Sequence, residues 1–173
     1  MSHSFITHLE CSKCHTQYAH EQIQTFCPDC KAALLPRYDL EAIRHNVDRE
    51  AIAHRRKGMW RWHELLPVLS EENQIFLGEG DTALLSLPRL EKELGLSHLY
   101  VKDESSNPTG SFKARGLAAA ISKAKELGVE KVIIPTAGNA GGAMAAYAAR
   151  AGLRAHIFMP KDTPFANIEE SHV

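Results

Sequence analysis

The chain has 173 residues, of which 44% are hydrophobic and 24% are charged, and its formal net charge is -1. This length suits one globular domain with a small appendage, and the near-neutral charge argues against nucleic acid or an anionic membrane as a partner. Since no apolar run is long enough to cross a bilayer and residues 1–10 lack a signal-peptide core, we expect a cytoplasmic protein that binds small molecules.

Two cysteine pairs dominate the first 36 residues. Cys11 and Cys14 form one pair, Cys27 and Cys30 form the other, and twelve residues separate the pairs. In a reducing compartment this spacing is typical of a zinc ribbon, in which four thiolates complete a tetrahedron and leave no open position. Four ordinary reduced cysteines are the alternative. We predict a zinc-ribbon-like segment over 1–36 with a structural zinc ion on these four residues.

A larger unit is predicted to follow from residue 37 to residue 173. Asp39 is a candidate N-cap, and apolar residues at helical spacing run from Leu40 to Ala51. Gly58 follows a run of basic residues and can end that helix. The sequence therefore predicts one amphipathic helix at the start of the larger unit.

Strands and helices alternate from residue 98 onward. Short apolar runs predict strands at 98–101, 132–134 and 155–159, and helical spacing predicts helices at 112–127 and 143–150. This order predicts an α/β fold, a parallel sheet with flanking helices. A sheet with so few strands exposes apolar faces and edges, so we expect the fold to be incomplete.

Lys113 stands directly after a turn of proline, threonine, glycine and serine at 108–111, where a helix is predicted to begin. The positive end of a helix dipole disfavours a charged ammonium and favours the neutral amine that Schiff-base chemistry requires. A solvated lysine in the first turn of an ordinary helix is the alternative. For this residue taken alone, that alternative carries more weight.

Four segments in the same order resemble the fold type II pyridoxal-phosphate-dependent enzymes, and the run over 38–173 is similar to threonine synthases. They are a glycine-glutamate loop, the lysine segment, an asparagine loop and a segment at a strand end, at 77–85, 101–116, 135–142 and 159–167. Ala83 stands where the family often has proline. That difference removes a rigid turn residue but no reactive group.

The resemblance implies that pyridoxal 5'-phosphate is attached to Lys113 through a Schiff base. Once released by the substrate, the lysine amine would move protons at the α and β carbons. Asn139 would hydrogen-bond the cofactor's ring oxygen, although a left-handed turn explains this asparagine equally well. The remaining residues implied to bind the substrate carboxylate are Thr136, Ala137, Gly138 and Ala140. Arg115 is predicted to be a solvated helical residue.

Threonine synthases convert O-phosphohomoserine and water to threonine and phosphate, so the resemblance implies a lyase. A threonine or serine dehydratase-like enzyme is the first alternative, and a non-catalytic zinc-binding fragment is the second. The resemblance covers about the first half of the family's length, and no segment matches its glycine-rich phosphate cradle. We therefore expect the chain alone to be weakly active or inactive. Its partner would be a chain carrying the missing half, or another copy of itself.

Overall fold

A computed structural model describes residues 4–172 of the chain. The N-terminal part is a three-stranded antiparallel sheet in the order β2-β1-β3. Its strands are β1 (Ile6–Cys11), β2 (Gln17–Tyr18) and β3 (Leu34–Tyr38). Pro36, the last residue of the segment predicted over 1–36, lies inside β3 opposite Leu9. A proline without an N–H fits there because β3 is an edge strand.

Hydrogen bonds at both ends attach this small sheet to the rest of the chain. The Ser4 hydroxyl donates to the Leu66 carbonyl over 2.5 Å, and the Phe5 N–H donates to the Glu64 carbonyl over 3.1 Å. At the other end, the Asp39 N–H donates to the Phe5 carbonyl over 3.0 Å. The entry and exit of the sheet are therefore both fixed to the larger unit.

The single helix predicted after Asp39 is two short helices, α1 (Leu40–Asn46) and α2 (Arg49–His54). Asp39 does cap α1, as predicted, by accepting a hydrogen bond from the Ala42 N–H over 2.8 Å. The chain breaks because Asp48 caps a second helix in the same way, accepting from the Glu50 N–H over 3.0 Å. The predicted apolar face is not buried, and Leu40 is 64% exposed.

A second small sheet forms from β4 (Leu84–Ser86) and β5 (Tyr100–Lys102), which pair antiparallel and are connected through α3 (Pro88–Leu94). The strand predicted at 98–101 was expected in a parallel sheet, and that expectation was wrong. In the described residues β5 pairs with β4, register Leu84–Lys102 to Ser86–Tyr100, and not with the strand at 131–135.

The parallel sheet comprises β6 (Lys131–Pro135) and β7 (Arg154–Phe158) in the described part of the chain. The predicted helices are present as α4 (Lys113–Glu126) and α5 (Asn139–Ala151), and a left-handed glycine, Gly128 or Gly152, ends each of them. One face of the sheet contributes Val132, Ile134, Ala155 and Ile157 to the core beneath α4 and α5. Within residues 4–172, no helix combines the length and apolarity that a membrane span requires.

Helix α5 begins four residues earlier than predicted, because its two glycines serve packing rather than a turn. Gly141 and Gly142 are buried where α6 (Phe165–Glu170) lies against the helix. A Cβ atom added to Gly141 would lie 2.9 Å from the Met159 side chain, and one added to Gly142 would overlap the Glu170 side chain. A larger residue at either position would require the Met159 or Glu170 side chain to move.

Candidate functional site

Lys113 is the first residue of α4 and its side chain is half-buried. Its backbone N–H donates to the buried Ser111 hydroxyl over 3.2 Å, which fixes the first helical turn. The ammonium nitrogen lies 4.3 Å from the centroid of the Phe112 ring. In the part of the chain that the structure describes, this nitrogen has no carboxylate partner. An amine that is held in place but not ion-paired fits the requirement for bonding a cofactor aldehyde.

The turn before Lys113 has an unusual backbone. Thr109 has φ 58° and Gly110 has φ 61°, and both lie in the left-handed region. A β-branched residue seldom adopts this conformation, because its side chain crowds the backbone. The Thr109 hydroxyl is buried and has no hydrogen-bond partner among residues 4–172. The turn packs against α5, which holds it in this strained geometry.

The Glu104 carboxylate forms the centre of a polar network behind the lysine. Arg115 donates to it twice, with Nε 2.6 Å from Oε2 and Nη2 2.8 Å from Oε1. The Thr82 hydroxyl donates to Oε1 over 2.6 Å, and the Asn107 amide donates to Oε2 over 2.8 Å. The bonds from Arg115 are the main reason that the pKa of Glu104 falls to about 2. Arg115 is therefore a structural ion-pair partner, and its prediction as a solvated residue was wrong.

The glycine-glutamate loop at 77–85 connects this network to α5. The Gly80 N–H donates to Asn107 Oδ1 over 3.1 Å. On the other side, Tyr147 of α5 donates its hydroxyl to Glu79 Oε2 over 2.6 Å, and both side chains are fully buried. Burial and this hydrogen bond raise the pKa of Tyr147. The Glu79 and Tyr147 side chains were assigned no role from the sequence, and their contact spans 68 residues of sequence, so no local signal predicts it.

Replacing Glu104 with glutamine should lower the free energy of unfolding at pH 7 by about 2 kcal/mol, because it leaves the Arg115 charge without its partner in a partly buried site. The folded-state pKa of Glu104 is depressed, so the ion pair stabilises the fold above the ordinary pKa and is lost as pH falls toward about 2. Wild-type and variant urea unfolding curves should therefore converge in acid.

The matched control is Glu93→Gln, which removes an exposed ion pair with Arg89. Such surface pairs contribute roughly 0.2–1 kcal/mol, so this variant should be close to wild type at every pH. A difference between the wild-type and Glu104→Gln proteins that stays constant down to pH 2 would contradict the role given to the Glu104 carboxylate.

The asparagine loop forms the connection from β6 to α5. Asn139 is the exposed first residue of α5, and it does not have a left-handed backbone. The alternative explanation for this asparagine, a left-handed turn, therefore does not apply. Gly138 precedes it in an extended conformation and donates its N–H to the Thr136 hydroxyl over 3.2 Å. Two of the residues implied to bind substrate are thus bonded to each other.

The other two implied substrate residues lie on either side of this connection. The Ala137 carbonyl accepts a hydrogen bond from the Asn167 amide over 2.9 Å. Ala140 lies in the first turn of α5, where backbone N–H groups have no acceptor within the helix. In the described part of the chain, neither Asn139 nor Ala140 donates its N–H to a protein atom. These two groups are suited to an anion such as a carboxylate.

The predicted site residues fall into three places. The asparagine-loop residues lie together at the start of α5, and Lys113 lies at the start of α4, which packs beside α5. Among residues 4–172, no hydrogen bond joins Lys113 to Asn139. The four cysteines form a separate cluster in the N-terminal sheet.

The cysteine cluster has the dimensions of a metal centre. All four sulfur atoms lie within 4.8 Å of one another, and none is in a disulfide. The Cys11 and Cys30 sulfurs are 3.3 Å apart, and the Cys14 and Cys27 sulfurs are 3.6 Å apart. A tetrahedron with zinc–sulfur bonds of about 2.3 Å has edges of about 3.8 Å, close to these distances.

The two cysteine pairs sit on turns of the same construction. His15 donates its backbone N–H to the Cys11 carbonyl over 3.1 Å, and Lys31 donates to the Cys27 carbonyl over 2.9 Å. Both donors have a left-handed backbone, with φ 61° and φ 58°. Hydrogen bonds from the Tyr18 hydroxyl and from nearby backbone N–H groups lower the pKa of Cys27 to about 6, which favours the thiolate that binds metals.

Comparison with known proteins agrees with the motifs. Residues 75–172 match the family described as pyridoxal-phosphate dependent enzyme. The chain is 42% identical over 151 residues to the threonine synthase of Methanocaldococcus jannaschii, and 36% identical over 153 residues to that of Methanosarcina acetivorans. These matches cover 87% and 88% of this chain.

A third relative, the threonine synthase of Halalkalibacterium halodurans, is 49% identical over 100 residues, which is 58% of this chain and 28% of the relative. The chain spans 37% of the length of each of the first two relatives. The similarity to the archaeal proteins therefore extends over most of this chain, although it represents a minor part of theirs.

Proposed function

Because the chain belongs to the family of pyridoxal-phosphate-dependent enzymes, we propose that it carries the cofactor lysine and the substrate-binding loop of a threonine synthase-type lyase. The proposed reaction converts O-phosphohomoserine and water to threonine and phosphate. The similarity to threonine synthases over more than four-fifths of the chain supports this choice of substrate. The observation that carries the proposal is that the half-buried amine of Lys113, at the start of α4, has no carboxylate partner among the described residues.

Each residue of the site has a task in this reaction. When bound, pyridoxal phosphate supplies an electron sink for negative charge that develops on the carbon atoms of the amino acid. Lys113 would hold the cofactor through its amine, and the freed amine would move a proton first at the α carbon and then at the β carbon. Asn139 would donate its side-chain amide to the ring oxygen of the cofactor.

We propose that the asparagine loop binds the carboxylate group of the amino-acid substrate. Asn139 and Ala140 offer first-turn N–H groups, and the dipole of the thirteen-residue α5 adds positive potential at the same point. Thr136 and Gly138 would shape the loop through the bond between them, and the Thr136 hydroxyl keeps its proton available for the substrate. Ala137 adds a small side chain that does not obstruct the approach.

We propose that a second polypeptide segment supplies the rest of the catalytic domain. This segment would cover the open face of the parallel sheet. Support comes from Ile133 and Phe158, which are 66% and 61% exposed on the face opposite α4 and α5. Isolated exposed apolar residues are common, but two on neighbouring strands form part of a patch. Self-association through the same face is the alternative, which sedimentation would reveal.

The test measures phosphate release from O-phosphohomoserine by this chain alone and by this chain mixed with the remaining part of the Methanocaldococcus jannaschii threonine synthase. We expect release in the mixture and little from the chain alone. A mixture containing the Lys113→Ala variant is the control. Ammonia release from threonine or serine without phosphate release would instead identify a dehydratase. Activity in neither assay would favour the non-catalytic alternative.

We also propose that Cys11, Cys14, Cys27 and Cys30 hold one structural zinc ion. The sulfur–sulfur distances and the two matched turns support this assignment. Four thiolate ligands leave no coordination position for a substrate or a water molecule, so the metal would stabilise the N-terminal sheet and take no part in the reaction.

A further inference from the structure

A cleft of about 450 Å³ lies between the segment 55–63 and the segment 71–76, and Lys113 is not part of its lining. Positive charge dominates its walls, which carry a single carboxylate. The chain as a whole has a formal net charge of -1, so this concentration of positive charge is local and not a result of overall composition. The four lysine and arginine residues that line the cleft are Arg55, Arg56, Lys57 and Arg61.

Two of these cations are held in fixed positions by neighbouring carboxylates. Arg55 donates to both oxygens of Glu64, over 2.6 Å and 2.8 Å. Arg61 donates to Asp81 Oδ1 over 3.3 Å. The Nε atom of Arg61 is nevertheless buried without a hydrogen-bond partner in the described part of the chain. Arg55 and Arg61 are each engaged by a carboxylate of the protein itself.

The other two cations have no carboxylate partner among residues 4–172. The Arg56 guanidinium lies 4.8 Å from the centroid of the Phe76 ring, and the Lys57 side chain is exposed. The second aromatic wall is the Trp60 indole, whose Nε1 donates to the Ile75 carbonyl over 3.1 Å. Two unneutralised cations therefore stand beside two aromatic rings, one of which is fixed by a hydrogen bond.

The backbone at residues 58 and 59, which forms part of the cleft, is restrained by close packing and by hydrogen bonds. Gly58 has φ 119°, and a Cβ atom there would lie 2.7 Å from the Phe76 ring. The Met59 N–H donates to the Glu79 carbonyl over 2.9 Å, and the Gly58 N–H donates to the Asp81 carboxylate. These bonds join the cleft to the glycine-glutamate loop at 77–85. The shape of the cleft is therefore fixed before any ligand binds.

We propose that this cleft binds a small organic anion that carries a planar ring, at a site separate from Lys113. The anionic group would pair with Arg56 and Lys57, and the ring would lie against Trp60 and Phe76. The volume falls within the roughly 300–1,000 Å³ typical of small-molecule pockets. A nucleoside monophosphate has this combination of charge and ring, and it serves as the probe. The assignment does not depend on the proposed function.

The test is isothermal titration calorimetry of the cofactor-free chain with adenosine monophosphate, inorganic phosphate and adenosine. Adenosine monophosphate should bind saturably and more tightly than either of the other two, because only it supplies both the charge and the ring. The double variant Arg56→Gln, Lys57→Gln should weaken its binding by about tenfold or more, as expected for the loss of two charge-assisted contacts. Both side chains are exposed, so this variant should fold normally.

The matched control is Lys92→Gln, Arg150→Gln, which removes the same charge from exposed positions on α3 and α5. It should leave binding unchanged. Phe76→Leu, checked for folding by its melting temperature, should weaken the binding of adenosine monophosphate but not that of phosphate. Equal weakening in the two double variants, or no saturable binding to the wild-type chain, would overturn the proposal.

Discussion

Replacing Lys113 with alanine is expected to abolish covalent attachment of pyridoxal phosphate to this chain. Wild-type protein titrated with the cofactor should develop a visible absorption band that can be trapped by borohydride as a stable adduct on one peptide. Lys113 is the residue predicted to react because its amine is half-buried at the start of α4 and is not neutralised by a carboxylate among residues 4–172.

Two further variants separate the reactive amine from its charge. Lys113→Arg keeps a cation beside the Phe112 ring but cannot bond an aldehyde, so it should fold like wild type and still show no band. Lys131→Ala removes an exposed lysine from the start of β6 and should keep the band. A band that persists in both Lys113 variants would mean that another lysine reacts, and the assignment would be wrong.

Removal of zinc is expected to unfold the N-terminal sheet while the core beneath α4 and α5 stays folded. Structural zinc in small domains contributes roughly 10–16 kcal/mol of apparent binding free energy at pH 7, which exceeds what so small a sheet gains from its own core. Natively purified chain should contain one zinc per molecule by elemental analysis. A strong chelator should abolish amide-exchange protection in β1 and β3 and leave that of α4 intact.

The variant for this test is Cys27→Ser, which removes a buried thiolate, and its control is Ser12→Ala within the first cysteine pair. Cys27→Ser should lose the metal and the protection of the sheet, whereas Ser12→Ala should keep both. Full zinc content in the serine variant, or none in the wild-type chain, would exclude the proposed four-thiolate site.

Local signals were sufficient to predict much of the fold. The glycines at 128 and 152 end α4 and α5 because both helices need a left-handed residue after their last turn. Asp39 caps α1 for an equally local reason. The strand at β5 was also predicted, but its partner was not. Pairing depends on where the chain returns in space, and residues 98–101 contain no signal that selects β4 over β6.

In the candidate site, too, sequence signals predicted some residues and not others. The family resemblance predicts Lys113 and Asn139 as site residues, and each is the first residue of a helix in the structure. The network around Glu104 could not be predicted, because its members come from three parts of the chain and each is unremarkable alone. Arg115 illustrates this: its position in the helix suggested solvent, but the carboxylate with which it pairs, Glu104, is eleven residues earlier in sequence and adjacent in space.

Because Thr109 has a left-handed backbone, selection for stability and selection for activity can be told apart at this position. A library screened only for folding should enrich glycine or asparagine there, since either residue removes a backbone cost of about 1–3 kcal/mol. A library screened for turnover should retain threonine if its buried hydroxyl is used by the cofactor or the substrate. Selection for stability and selection for activity would then favour different residues at one site, four positions before the lysine.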